Sequence, residues 1–121
     1  MANTFKVISF AAEPASAGTA YKMYTVAAST TTVVLGLILT NIHSTSVTVE
    51  VELVSNTASR GGDNDVTNTT SFLVKDVSIP AGSSLELLSG GKVVLETTDE
   101  IKIDCSVTDK ISGTLSIMEI T

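Results

Sequence analysis

Between Val47 and Val54 apolar and polar residues alternate without interruption: Val47, Val49, Val51 and Leu53 fall on one side, Thr48, Glu50 and Glu52 on the other. A period of two sends successive side chains to opposite faces, so this segment predicts a half-buried β-strand. Ile101, Ile103, Cys105 and Val107 share a face in the same way, opposite Lys102, Asp104 and Ser106. Thr31 to Ile42 is the strongest apolar segment. Its β-branched start and Asn41 end predict a central strand buried on both faces, joined through Ser44-Thr45-Ser46 to Val47–Val54 as a hairpin. Tyr21 to Val26 and Phe72 to Val77 read as further strands, the latter ended by Ile79-Pro80-Ala81-Gly82, where Pro presets the first turn angle and Gly the second. Leu85 to Leu88 and Lys92 to Thr97, on either side of Ser89-Gly90-Gly91, predict a second hairpin. Asp109 to Gly113 closes the last turn before Thr114 to Thr121, where Leu115 and Ile117 share one face and Met118 and Ile120 the other.

Short strands at regular spacing, each ended by a turn signal, predict an all-β, antiparallel β-sandwich of jelly-roll-like form. The sandwich domain is expected over residues 21–121. Residues 1–20 are expected to form an N-terminal arm or first strand, Phe5-Lys6-Val7-Ile8, followed by a small-residue linker from Ala11 to Ala20. Ser55 to Thr70 is the one long polar loop, a length usually reserved for functional or mobile segments.

Composition narrows the function. The chain has 121 residues, 43% hydrophobic and 17% charged, with a formal net charge of -6. One domain of this size builds a core without staples. Ser and Thr supply roughly a quarter of the residues, a polar surface without heavy charge. Seven basic residues scattered among thirteen acids cannot neutralise a phosphate backbone, and an anionic membrane would repel the chain, so neither nucleic acid nor membrane is an expected partner. The apolar stretch Val7-Ile8-Ser9-Phe10 is too short for a signal peptide and is cut by Glu13-Pro14. The longest apolar run, Val33 to Leu39, is far below a membrane span.

Catalytic material is scarce. His43 is the single histidine and sits by a turn, where water satisfies its nitrogens. Cys105 is the single cysteine; its strand position points it inward as a small hydrophobe, and it has no partner for an internal disulfide. Ser89-Gly90-Gly91-Lys92 lacks the first Gly and the trailing Ser or Thr of a phosphate loop. Asp63-Asn64-Asp65 with Thr67 offers oxygen ligands for calcium, yet Val74 stands where a helical-hand loop needs Glu. Arg60-Gly61-Gly62-Asp63 has one Gly too many for an integrin motif, and Asn68-Thr69-Thr70 is a glycosylation sequon without a sign of secretion. The aromatics Phe5, Phe10, Tyr21, Tyr24 and Phe72 make core or contact anchors rather than a sugar platform. The chain is read as no enzyme, with no catalytic, cofactor or metal residues.

Several segments carry a resemblance: Val74-Lys75-Asp76-Val77-Ser78-Ile79-Pro80-Ala81-Gly82-Ser83-Ser84-Leu85, Leu88-Ser89-Gly90-Gly91-Lys92-Val93-Val94-Leu95, Thr98-Asp99-Glu100-Ile101 and Leu115-Ser116-Ile117-Met118-Glu119-Ile120-Thr121. Tyr24-Thr25-Val26 and Thr32-Val33-Val34-Leu35-Gly36-Leu37 join them. Together they resemble small virion structural proteins of tailed bacteriophages, especially those of marine cyanobacteria and related aquatic hosts. The resemblance implies a non-enzymatic virion component made in the host cytoplasm, first of all a capsid decoration or cement protein. Neck, tail or fibre-associated subunits are the alternative, and a host-surface glycan-binding adhesion module with the Ser55–Thr70 loop as its tip is another. The expected partners are the major capsid or neck and tail proteins and further copies of the chain. Candidate interface residues are Phe5, Val7, Ile8, Phe10, Met118 and Ile120. In this picture Ala2 to Ala20 lies on a neighbouring subunit, each buried apolar side chain contributing ~1.5–3 kcal/mol before ordering costs. A chain without Met1–Phe10 would then still fold.

Overall fold

A computed structural model describes residues 2–56, 70–88 and 92–121. All regular structure in these residues is β: β1 (Asn3–Glu13), β2 (Tyr21–Thr25), β3 (Thr31–Asn41), β4 (Val47–Val54), β5 (Thr70–Ile79), β6 (Ser84–Leu87), β7 (Val93–Leu95), β8 (Glu100–Cys105) and β9 (Ile111–Ile120). They form two antiparallel sheets. One has the order β1-β9-β3-β6, with β7 also on β3; the other has the order β2-β8-β4-β5. β6 pairs with Leu37 to Thr40 and β7 with Thr32 to Val34, so the two lie end to end as one interrupted edge strand. With β6 and β7 counted as one position, the chain crosses from sheet to sheet in the order of a jelly roll.

The core lies between the sheets. The inward positions of the alternating segments fill it: Val34, Leu37 and Leu39 from β3, Val49 and Val51 from β4, Ile101 and Ile103 from β8, Leu115 and Ile117 from β9, all buried. Each contributes about 1.5–3 kcal/mol relative to an exposed position. Cys105 joins them as a free, buried thiol.

Both expected hairpins are absent. β3 and β4 belong to different sheets, so the Ser44-Thr45-Ser46 connection crosses the sandwich. The cause is Asn41, a wholly buried polar residue at the end of β3. Its Nδ2 donates to the carbonyls of Thr45 and Ile79, both at 2.9 Å, and its Oδ1 accepts from His43 N at 2.7 Å. A buried amide with all of these partners fixes the corner of the chain. β6 and β7 likewise pair with β3 and not with each other, and Leu85 and Leu87 of β6 pack against the core from that position. The expected turn at 89–91 lies outside the described residues, as does most of the Ser55–Thr70 loop, including the sequon and the Asp63-Asn64-Asp65 cluster.

Three expected strands differ in extent or burial. β3 is buried on its inner face only, and Ile38 on its outer face is 42% exposed. β9 starts at Ile111, so Gly113 lies inside a strand where a turn was expected. β1 continues to Glu13, and the small-residue segment after it is tied to its own domain. Ala17 N donates to Thr108 Oγ1 at 3.1 Å, Gly18 N to Asp104 Oδ1 at 3.2 Å, and Asp109 N to the Pro14 carbonyl at 2.9 Å.

Candidate interaction surface

The two sheets present unlike outer faces. On β2-β8-β4-β5 the outward positions carry charge. Lys102 and Lys22 both reach Glu100, at 3.9 and 3.5 Å, and Lys75 Nζ holds Glu50 at 2.9 Å. That hydrogen bond is the main reason the Lys75 ammonium titrates above its ordinary value. Phe72 is 47% exposed on the same sheet, with Lys75 Nζ 4.6 Å from its ring centroid. Such a face is at home in water.

The outer face of β1-β9-β3-β6/β7 is different. Phe5 pairs with Met118, Met118 with Val33, and Val33 with Val94. Because cross-strand partners point the same way, these four side chains form a continuous apolar row across four strands. Phe5 is 71%, Val7 69% and Val94 59% exposed. Phe5, Val7 and Leu35 line a shallow hollow with Ser116. Elsewhere on this face alternation places Ser112, Thr114, Ser116 and Thr40 outward, and within the strands Glu86 is the single charged residue it places there.

The six residues proposed from sequence as interface anchors are thus divided. Phe5, Val7, Met118 and Ile120 lie on the outer face. Ile8 and Phe10 point the other way and pack against the core of their own domain. The Phe10 ring covers Gly113, where a Cβ would overlap it, and meets Tyr21 edge-on at 5.1 Å. A large ring over a strand glycine fills the missing side chain, so Phe10 seals the sandwich between β1 and β2. Val33, Leu35, Ile38 and Val94 were not anticipated. Their signal was present in the doublets Val33-Val34 and Val93-Val94, where two successive apolar residues must occupy both faces of a strand.

At one end the sheets are clasped by a polar cluster. Tyr24 Oη lies 2.7 Å from Thr32 Oγ1 and donates to Glu119 Oε2 at 2.7 Å, while Lys6 Nζ pairs with Glu119 Oε1 at 2.7 Å. Burial and the adjacent Glu119 push the Tyr24 phenol up to about 12. The hydrogen bonds from Lys6 and Tyr24 hold Glu119 below the ordinary carboxylate range.

A second hollow gathers Glu50, Asp76 and Asp104. Glu50 is taken by Lys75, and Asp104 Oδ1 accepts from Gly18 N and Cys105 N. Among the described residues no group of His, Cys, Asp or Glu is placed to hold a metal ion. No helix among the described residues is long and apolar enough to cross a membrane. His43 is half-buried in the β3–β4 corner, where its backbone N–H donates to Asn41 Oδ1.

No family model and no curated protein matches the chain. Among solved structures it is similar to a chain from Bacillus endospore appendages, described as a novel family of disulfide-linked pili. The likeness covers 99% of this chain and 87% of that one, at 16% identity and a TM-score of 0.47.

Proposed function

We propose that this protein is a non-enzymatic structural subunit that works through contacts with other subunits, and that its place is the virion of a tailed bacteriophage as a capsid decoration protein. The observation that carries the reading is the outer face of β1-β9-β3-β6/β7: an apolar row on a sheet whose strands hold one outward charge, on a molecule whose other sheet is densely charged. Exposed apolar area of this kind on a soluble domain marks a contact surface. Jelly rolls recur in viral capsid and lectin domains, which agrees with the sequence resemblance as fold-level analogy. The virion location rests on that resemblance.

Quantitative mass spectrometry of purified particles carrying this gene tests the reading. A copy number following the capsid lattice is the expected result. A copy number matching a single ring would move the protein to the neck or tail, and its absence from particles would overturn the virion assignment.

A further inference from the structure

We infer that the outer face of β1-β9-β3-β6/β7 packs on the same face of a second copy, giving a two-fold, face-to-face dimer. This rests on the structural-subunit reading and names the partner of its surface.

Three observations select a second copy. The first is area. Four strand positions at ~4.8 Å spacing and strands of ten residues at ~3.3 Å rise give a face of about 19 by 33 Å, roughly 600 Å² in projection. With side-chain relief added, this approaches the ~800 Å² per partner of a standard stable interface. The second is charge. Two copies carry -6 each and repel at most approaches. The β2-β8-β4-β5 face would bury Glu50, Glu52, Glu100 and Asp104 of each copy with only Lys22, Lys75 and Lys102 to offset them, so many charges would lose water on contact. The β1-β9-β3-β6/β7 face brings a single strand carboxylate, Glu86, from each copy. The third is shape. Phe5, Met118, Val33 and Val94 run straight across the strands, and a two-fold axis lays such a row along its own copy. Sheets packed in this way sit about 10 Å apart with strands within about 30° of each other.

Pairing of two β1 edges is the rival geometry. It leaves Val94 outside the contact, since Val94 is three strand spacings, about 14 Å, from β1. Face packing puts Val94 inside it.

The test is sedimentation equilibrium of the full chain and of Val94→Glu, with far-UV circular dichroism to confirm the fold. The expected result is a wild-type dimer and a folded Val94→Glu variant whose dissociation constant is weaker by about 100-fold or more, as for an unpaired charge forced into a dry contact. Phe5→Glu, also fully on the outer face, serves as the second variant should Val94→Glu fold poorly. A folded Val94→Glu that dimerises as tightly as wild type overturns the face assignment and leaves the structural-subunit reading intact. A wild-type chain that is monomeric at about 100 μM overturns the dimer outright. Particle incorporation then judges the structural reading separately.

Discussion

Asn41 is the residue on which the jelly-roll path turns. It closes an apolar strand, yet it is buried, and its side chain bonds the backbone at residues 43, 45 and 79. An Asn41→Ala change removes all three bonds and leaves the buried Ile79 carbonyl and the part-buried His43 N–H without their partners. The expected loss is about 3 kcal/mol in urea denaturation, since each unsatisfied buried group costs ~1–3 kcal/mol. The Tyr24–Glu119–Lys6 clasp is the other polar device of the interior. Glu119 has a folded-state value below its unfolded 4.5, so its contribution is complete above that value and disappears as pH falls through the lowered one. Glu119→Gln should therefore melt lower than wild type at neutral pH, by about 1 kcal/mol with Lys6 half-exposed. The difference should close on acidification, and scanning calorimetry across that range measures it. A gap that stays constant with pH would mean the carboxylate charge contributes nothing.

At the scale of elements, β1 behaves unlike a detachable arm. It pairs with β9 from Asn3 to Phe10 and again at Glu13, and Ile8 and Phe10, partly buried, pack against the core. Removing residues 1–10 exposes the edge of β9, strips Phe10 from Gly113 and deletes Lys6 from the clasp. The truncated chain should be unfolded or aggregated, read as loss of dispersion in a proton–nitrogen correlation spectrum. A well-folded truncation would restore the expectation of an arm donated to a neighbour. The hairpin that fails at β6 and β7 has a related cause. Turn residues permit a reversal, but pairing is decided by where Leu85, Leu87 and Leu95 find apolar neighbours, and β3 offers them.

At the scale of the molecule, the unequal outer faces of the two sheets bear on assembly. One sheet carries Lys22, Lys75 and Lys102 with their carboxylate partners, while the other leaves Phe5, Val7 and Val94 exposed on the face where the proposed dimer would form. The all-β class, the extent of β4 and the inward Ile101, Ile103 and Cys105 were legible from the chain, because a period of two states directly which side chains share a face. Which strands become neighbours was not legible, since pairing depends on residues far apart in sequence. Of the six candidate interface residues, Phe5, Val7, Met118 and Ile120 lie on the outer face and Ile8 and Phe10 pack inward, a division that pairing decides. Alternation separates Phe5 and Val7 from Ile8 and Phe10, but only the packing of Phe10 over Gly113 and against Tyr21 shows which set is inside. Sequence alone thus determined that this chain makes strands and which side chains alternate along them, a local matter of sterics and spacing. The tertiary structure decided the order of those strands, the crossover at Asn41 and the face left bare, because each depends on long-range contacts that exist only once the two sheets close on one another.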